Sequence, residues 1–208
     1  MGLNSNTIYV DMDDVLCQAA RQFLVIVERE FGKKIDYEQL TNFDVGQSCG
    51  LQPEERDELY RIVHQPDELL KMMPIEGALP VLKEWQVEGF EIAIVTGRPP
   101  DSYEVSITWL AKHGVPHSSF TVVDKYSRFA TEKTIAINLR ELATRRFCLA
   151  VEDSLPMAEY LAGQMKVPVA LIDCPWNQTD AAHAQVSRYP DWPAIADAVS
   201  ALTDAARR

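Results

Sequence analysis

Cysteine is scarce in this sequence, and the few cysteines present lack the C-x-x-C spacing of a thiol pair. The four cysteines are Cys17, Cys49, Cys148 and Cys174. Two of them lie inside apolar segments, where a free thiol behaves as a small hydrophobic side chain. We therefore expect all four to be reduced and structural.

Long apolar runs are also absent. No segment approaches the roughly 18 consecutive apolar residues of a membrane-spanning helix. The N-terminal stretch MGLNSNT has neither the basic nor the apolar region of a secretion signal, and Asn6 departs from the myristoylation pattern. We therefore expect a cytoplasmic protein without a membrane partner.

Basic residues are outnumbered by acidic ones. The chain has 20 Lys+Arg against 31 Asp+Glu, a net charge of −11 at pH 7. Nucleic acid polymers and anionic membranes attract basic surfaces, so this balance argues against both as partners. A small anionic substrate is compatible with it if a metal ion, a lysine or an arginine supplies local positive charge.

Several familiar motifs are missing, namely the P-loop, G-x-G-x-x-G and G-x-S-x-G. The histidines share no metal-ligand spacing, and we expect them at surface or core positions. They are His64, His113, His117 and His183.

The sequence contains enough hydrophobic residues to form one core. Of its 208 residues, 47% are hydrophobic and 25% are charged, which favours a single folded core with a modest appendage. Short apolar runs bounded by turn residues predict five strands. They are TIYVDM (7–12), FEIAIVT (90–96), FTVVD (120–124), FCLAVED (147–153) and VPVALID (167–173). Helical periodicity predicts helices near 78–88, 101–113, 132–143 and 155–165, and the last 30 residues are predicted as a loop and a closing helix from Asp191.

The predicted strands are continuously apolar and alternate with helices. This pattern is typical of a parallel sheet covered on both faces, so the predicted fold class is α/β, a Rossmann-like sheet with helices on both sides. About 75 residues separate the first two strands, whereas a crossover needs only about 10 to 12. We therefore predict a core of residues 1–16 and 75–208, with residues 17–74 inserted as a small helical cap.

Two segments of the cap have helical patterns. Leu16, Ala20, Phe23 and Val27 form an apolar stripe, and PEERDELYRIVH (53–64) begins with proline. The intervening TNF (41–43) and QSCGL (47–51) are candidate substrate loops.

Polar residues follow four of the five predicted strands. They are Asp11 and Asp13, then Thr96-Gly97-Arg98, then Asp124-Lys125, and finally Glu152-Asp153. The carboxyl ends of parallel strands share one edge of a sheet, so we expect these groups to converge.

Each feature alone has a simpler structural explanation. Asp13 or Asp14 could cap the helix that follows, and Asp153 could cap the helix at 155–165. A single lysine such as Lys125 is ordinarily a solvated surface residue. Helix capping and surface exposure do not explain why all four features occur in this order and each at the end of a strand.

These motifs resemble those of a known superfamily. DMDDV, VTGR, a lysine after the third strand and VED are similar to the four motifs of the haloacid-dehalogenase-like (HAD) phosphohydrolases. Within that superfamily, DMDDVL, PIEGALPVLKEWQVEGFEIAIVTGRP and LIDCPWN resemble the 5'(3')-deoxyribonucleotidases. Members of that family usually carry glycine at position 14 and an aromatic base-pocket residue at position 19. Phe23, one helical turn after Ala19, is the candidate substitute.

The HAD resemblance implies a role for each acidic residue. Asp11 would be the nucleophile that forms an aspartyl-phosphate, and Asp13 the general acid and base, with a pKa raised by nearby negative charge. The implied cofactor is Mg²⁺, held by Asp11, the backbone carbonyl of Asp13 and Asp153. Glu152 would bind the ion alongside these ligands or through water.

The remaining implied roles concern the phosphoryl group. The Thr96 hydroxyl and the Gly97 amide would hold phosphoryl oxygens, and Arg98 would contact the substrate or brace its loop. The catalytic lysine is Lys125 or Lys133. We favour Lys125, because it directly follows a strand, whereas Lys133 falls in a predicted helix.

The function we predict is that of a Mg²⁺-dependent phosphomonoesterase acting on nucleoside monophosphates. The alternatives are a phosphatase of another small metabolite such as a sugar phosphate, a haloacid dehalogenase and a non-catalytic binding module. The expected partner is a small phosphorylated substrate, and a homodimer is an assembly that the sequence leaves open.

Overall fold

The computed structural model describes residues 6–129 and 135–206, with residues 201–206 as backbone alone. The strands are β1 (Thr7–Val10), β2 (Glu91–Thr96), β3 (Ser119–Asp124), β4 (Ile137–Asn138), β5 (Leu149–Glu152), β6 (Val169–Ile172) and β7 (Val186–Tyr189). They form one sheet in the order β4-β3-β2-β1-β5-β6-β7, and every pairing between these strands is parallel. The α/β fold class is therefore confirmed.

Helices occupy most of the connections between the strands. They are α1 (Ala19–Phe31), α2 (Val45–Ser48), α3 (Pro53–Val63), α4 (Pro66–Leu69), α5 (Ala78–Val87), α6 (Tyr103–His113), α7 (Leu139–Leu142), α8 (Leu155–Gly163) and α9 (Trp192–Ala206). Among the described residues, no helix has the length and apolar character needed to span a membrane.

Strand β1 shows why the sheet is covered on both faces. Its side chains alternate between the two faces, and Ile8 and Val10 join one hydrophobic cluster while Tyr9 joins another. The first cluster includes Trp85 of α5, and the second includes Leu161 of α8. Because both faces are buried, the strands carry continuous apolar runs, as the sequence pattern predicted.

Two short edge strands depart from the sequence predictions. Strand β4 and helix α7 lie where a helix was predicted over 132–143, because the side chain of Asn138 accepts a hydrogen bond from the Glu141 amide and starts the helix late. Strand β7 lies in the predicted loop before α9. Its side chains are partly exposed, since an edge strand has a neighbour on one side, and its pattern is therefore less apolar than that of a central strand.

The segment between β1 and α5 contains helices α1 to α4, which pack on one another. Phe23 of α1 meets Tyr60 of α3 edge to face, with ring centroids 5.6 Å apart. Gln22, Arg29 and Lys71 all donate hydrogen bonds to Glu68, which ties α1 to α4. The helical content of this segment agrees with the predicted cap, while the division at residues 17 and 74 stays a prediction.

Candidate active site

The carboxyl ends of four neighbouring strands bring polar side chains to one edge of the sheet. Asp11 follows β1, Thr96 ends β2, Lys125 follows β3, and Glu152 and Asp153 lie at the end of β5. All five residues are buried, and four of them are ionisable. Buried ionisable side chains ordinarily need a partner. The structure therefore brings together residues that lie up to 142 positions apart in the chain, counting from 11 to 153.

Lys125 lies at the centre of this group. Its Nζ is 2.5 Å from Asp11 Oδ1 and 2.6 Å from Glu152 Oε1. Burial alone would lower the pKa of the lysine, but the two carboxylates hold its pKa well above the ordinary value. Lys125 thus carries a positive charge beside Asp11, while Lys133, the other candidate, lies outside the described residues.

Both carboxylate oxygens of Glu152 accept hydrogen bonds from neighbouring groups. Oε1 accepts hydrogen bonds from the Tyr9 hydroxyl and Lys125, and Oε2 accepts from the Asp153 and Ser154 amides. The side chain is completely buried. Glu152 is therefore placed to orient Lys125 and the loop after β5.

Asp153 has a different set of contacts. Oδ2 accepts a hydrogen bond from the indole nitrogen of Trp176 at 3.0 Å, and its backbone carbonyl accepts from the Asn177 side chain. Trp176 thus lies at the edge of the site. Oδ1 has no hydrogen-bond partner among the residues that the structure describes, which leaves it available to a ligand.

Oxygen atoms of Asp11, Glu152 and Asp153 lie within 4.8 Å of one another. Burial raises the pKa of Asp11 to about 7, Lys125 opposes this rise, and Glu152 adds to it. Burial, together with the charges of Glu152 and Asp11, also raises the pKa of Asp153 well above its ordinary value. Negative charge is therefore in excess at this point, and the oxygen donors suit a hard divalent cation such as Mg²⁺.

Asp13 is not part of this carboxylate group and pairs with Arg98. Arg98 Nε lies 3.0 Å from both carboxylate oxygens of Asp13, and a terminal guanidinium nitrogen lies 2.6 Å from Oδ1. Burial acts to raise the pKa of Asp13, but Arg98 outweighs it and lowers the pKa below its ordinary value. The expected rise in the Asp13 pKa is therefore wrong for this state of the site. Its predicted metal contact, through the backbone carbonyl, stays a prediction.

Arg98 is itself almost completely buried. It also donates to the Ser106 hydroxyl and to the sulfur atoms of Cys17 and Met72. Of the two roles left open for this arginine, the contacts correspond to bracing, although its side chain also lines the cavity described below.

Asp14 has the structural role that the sequence left open. Both of its carboxylate oxygens accept from the Ala20 amide, at 3.0 and 3.1 Å, so it caps the start of α1. Its backbone has a φ of 56°, a left-handed conformation that favours glycine.

Thr96 and Gly97 form the turn after β2. Thr96 is completely buried, and its hydroxyl accepts from the Arg98 amide at 3.1 Å. A Cβ atom at Gly97 would lie 3.3 Å from the Lys125 side chain, so glycine leaves room for that lysine. Gly97 lines the cavity, whereas Thr96 is not among the described lining residues.

A cavity of about 540 Å³ opens above these groups. Asp11, Asp13 and Asp153 lie at its polar end. Aromatic side chains from the segment between β1 and α5 and from the connections after β3 and β6 form much of the remaining wall: Phe23, Phe43, Tyr60, Tyr126, Phe129 and Trp176. Phe23 was a predicted pocket residue, and Phe43 belongs to the predicted TNF loop. By contrast, the QSCGL loop contributes no described lining residue.

Several cavity residues were missed at the level of sequence. Tyr60 and His64 lie on the segment predicted as a helix, but the sequence carried no signal that this face turns toward the site. Tyr126 follows Lys125 directly and donates from its hydroxyl to Ser154. Its position next to the predicted lysine was the feature of the sequence that could have placed Tyr126 at the site.

The comparisons with known proteins agree with this geometry. A predicted phosphatase from Clostridium acetobutylicum superposes with a TM-score of 0.66 over 96% of this chain and 100% of its own, at 11% identity, which shows a shared fold. Together with the family model that matches the chain, the fold and the edge-of-sheet site define a HAD-like phosphatase. Residues 5–158 match the family model described as "5' nucleotidase, deoxy (Pyrimidine), cytosolic type C protein", and the chain belongs to this family.

Two relatives extend over nearly the whole chain. A protein provisionally named a nucleotidase, from Halalkalibacterium halodurans, is 24% identical over 88% of this chain and 87% of its own length. A protein provisionally named a 5'(3')-deoxyribonucleotidase, from Chlorobaculum tepidum, is 24% identical over 97% of this chain and 94% of its own. The chain is thus an enzyme of the 5'-nucleotidase type.

Proposed function

We propose that this protein is a Mg²⁺-dependent phosphomonoesterase that hydrolyses (deoxy)nucleoside monophosphates through an aspartyl-phosphate. The proposal rests on one observation: Asp11 lies 2.5 Å from Lys125 Nζ, has an oxygen within 4.8 Å of one of Asp153, and lines an aromatic-walled cavity. The family to which the chain belongs supports the reaction class. A cytoplasmic location stays a prediction from sequence, and a homodimer stays an open alternative.

Asp11 and Asp153 would hold the metal ion, and Glu152 would support both through Lys125 and the β5 loop. Burial first, and then the charge of neighbouring carboxylates, raises the pKa of Asp11 and of Asp153, and a bound cation would favour the charged form of both. When bound, Mg²⁺ would supply neutralisation of charge on the transferring phosphoryl group. Lys125, whose Nζ lies 2.5 Å from Asp11 Oδ1, would contribute a second positive charge beside the nucleophile.

Asp11 would act as the nucleophile. One of its oxygens attacks phosphorus, a P–O bond to Asp11 forms, and the ester P–O bond to the alcohol breaks. The departing oxygen takes a proton from Asp13. Water then attacks the phosphorus, gives its proton to Asp13, and releases inorganic phosphate and the free Asp11 carboxylate.

Arg98 must allow Asp13 to hold a proton for part of this cycle. The ion pair favours the charged carboxylate, whereas a phosphate ester entering beside it adds negative charge and a competing partner for the guanidinium. Both effects would raise the pKa of Asp13 when substrate is bound. The pair would therefore hold Asp13 in place before binding and let it accept a proton afterwards.

The aromatic wall supports a nucleoside as the leaving alcohol. Phe23 and Tyr60 present an edge-to-face pair, and Phe43 meets Tyr126 at a ring-centroid distance of 5.6 Å. Flat aromatic faces of this kind stack on nucleobases irrespective of their hydrogen-bonding edges. A small sugar phosphate would leave much of this wall without a partner.

The test is phosphate release from 5'- and 3'-nucleoside monophosphates and from sugar phosphates, with Mg²⁺ and with EDTA. We expect hydrolysis of nucleotides in Mg²⁺, loss of activity in EDTA, and loss of turnover in Asp11→Asn. Asp101→Asn, an exposed carboxylate outside the cavity, is the matched control. Hydrolysis of sugar phosphates alone would reject the nucleotide assignment, and activity that survives EDTA would reject the metal requirement.

A further inference from the structure

His64 lines the cavity of the candidate active site. It follows the last residue of α3, and its Nδ1 lies 2.7 Å from the backbone carbonyl oxygen of Tyr60. A carbonyl oxygen can only accept, so Nδ1 must carry the proton in this contact. In the neutral ring, Nε2 is then a bare hydrogen-bond acceptor.

The ring of His64 is held firmly against its neighbours. It stacks on Tyr60 with an interplanar angle of 18° and a centroid distance of 6.4 Å. Tyr60 is fixed in turn by Phe23 and by a hydrogen bond from its hydroxyl to Asp44. Two independent contacts therefore set the direction of Nε2.

His64 lines the same cavity as Asp11 and Asp13, and because Nδ1 contacts the Tyr60 carbonyl oxygen, Nε2 is the ring nitrogen left to meet a ligand there. Within residues 6–129 and 135–200, no hydrogen bond to this atom is found. Burial lowers the pKa of His64, the nearby charge of Asp13 opposes this effect, and Arg98 adds to it. The lowered pKa favours the neutral imidazole near pH 7, and Asp13 and Arg98, whose charges act on the ring, line the same cavity.

The position of the ring decides which part of a substrate it would meet. The alcohol carbon that bears the phosphate, and the sugar ring attached to it, must lie near Asp13 for proton transfer to occur. An acceptor there favours a donor and disfavours a carbonyl or a second anion. In a nucleotide, the donors available next to the phosphate are sugar hydroxyls.

We propose that His64 Nε2 accepts a hydrogen bond from a sugar hydroxyl of the leaving alcohol and so selects phosphate esters that carry one. This assignment rests on the proposed function and names a specificity residue within it. His64 would contact the substrate without moving a proton. The substrate class is therefore a nucleoside monophosphate with a free 2'- or 3'-hydroxyl.

The experiment compares kcat/KM for uridine, 2'-deoxyuridine and 2',3'-dideoxyuridine 5'-monophosphates. One neutral hydrogen bond corresponds to about a tenfold effect on kcat/KM. For the wild type, kcat/KM should therefore fall about tenfold between the ester that carries the contacted hydroxyl and the ester that lacks it. His64→Phe keeps the stacking on Tyr60 but lacks Nε2, and it should hydrolyse the three esters with equal kcat/KM. His64→Gln, which retains an acceptor oxygen at a similar reach, should restore part of the preference.

His117→Phe is the matched control. His117 makes the same kind of Nδ1 contact, 2.9 Å from the Val115 carbonyl oxygen, but is not among the described cavity residues. It should preserve the wild-type preference, and thermal unfolding of each variant checks that it folds. Equal kcat/KM values for all three esters in the wild type, or a preference that persists in His64→Phe, would overturn the assignment. Failure to hydrolyse any ester in Mg²⁺ would instead reject the proposed function and this inference with it.

Discussion

Arg98 forms a forked ion pair with Asp13, in which the guanidinium Nε lies 3.0 Å from both carboxylate oxygens. The arginine side chain is 1% exposed and that of Asp13 is 35% exposed, so the buried Arg98 is the member of the pair that the surrounding protein holds in place. A general acid held by an arginine is charged until something weakens the contact. This relationship makes the pH dependence of the enzyme a direct test of the proposed proton transfer.

Arg98→Lys should move the pH profile. Lysine keeps the charge but cannot form the forked contact, so the pKa of Asp13 should rise from its lowered value. Because the reaction needs protonated Asp13, the descending limb of the profile should shift to higher pH, and kcat should fall by about tenfold because Asp13 is less well oriented.

The measurement is kcat/KM and kcat across the pH range in Mg²⁺. Arg145→Lys is the control, because Arg145 contacts Thr121 on the edge of the sheet and does not line the cavity. An unchanged limb in Arg98→Lys would contradict the assignment of Asp13 as the general acid.

Trp176→Phe should weaken metal binding. The substitution removes the hydrogen bond from the indole nitrogen to Asp153 Oδ2 and leaves the aromatic wall in place. Loss of a partner that orients a metal ligand typically costs about tenfold or more in metal affinity. We expect the Mg²⁺ concentration for half-maximal activity to rise by about tenfold, with a smaller effect at saturating Mg²⁺.

Tyr160→Phe serves as the comparison for this variant. It removes a hydrogen bond from the tyrosine hydroxyl to the Leu139 carbonyl, away from the cavity. The same Mg²⁺ dependence in wild type and Trp176→Phe would show that Asp153 needs no help from the indole.

Glu68→Gln should make stability less dependent on pH. Burial acts to raise the pKa of Glu68, but hydrogen bonds from Lys71, Arg29 and Gln22 outweigh it and lower the pKa below 4.5. A carboxylate with a depressed pKa stabilises the folded state above its unfolded pKa and loses that contribution as pH falls through the folded pKa.

Urea unfolding of wild type and Glu68→Gln at pH 7 and below pH 4 measures this effect. The variant should be less stable by about 1 kcal/mol at pH 7, since two of its partners are exposed to solvent, and the difference should shrink in acid. Glu58→Gln is the matched control, because Glu58 also pairs with a basic residue three positions on but lies on the surface. Equal loss in both variants would show that the buried position of Glu68 adds nothing.

Asp14→Gly should separate helix capping from catalysis. Losing the cap on α1 costs about 1 kcal/mol, while glycine relieves the strain of the positive φ. These effects oppose each other, so the stability of Asp14→Gly should stay within about 1 kcal/mol of the wild type, and activity should persist.

Asp14→Ala loses the cap without relief of strain and should be less stable than Asp14→Gly by about 1 kcal/mol. Thermal unfolding and phosphate release are measured on both variants. Inactivity of a well-folded Asp14→Gly would assign Asp14 a chemical role that the observed contacts do not indicate.

The five central strands and most of their covering helices were predictable from sequence for a physical reason. A strand buried on both faces needs a continuous apolar run, and glycine, proline and polar residues must punctuate it. Strands β4 and β7 were not predictable in this way. Each lies at an edge, where half-buried, mixed residues resemble a loop or a helix.

The convergence of Asp11, Lys125 and Asp153 followed from sequence as well, because the carboxyl ends of parallel strands meet at one edge whatever the loops contain. The choice of Lys125 rested on the same rule. Glu152 was identified as part of the site, but its four hydrogen-bond donors come from three elements, so its supporting role needed coordinates.

Local sequence thus determined the sheet, the order of its motifs and the group of carboxylates at its edge. The tertiary structure alone decided that Asp13 turns to Arg98, that Asp14 caps α1, and that Tyr60 and His64 face the cavity. The contacts of Asp14, Tyr60 and His64 depend on where helices α1 and α3 pack, and that of Asp13 depends on which basic side chain lies nearest to it. Such contacts join residues that no short-range pattern connects.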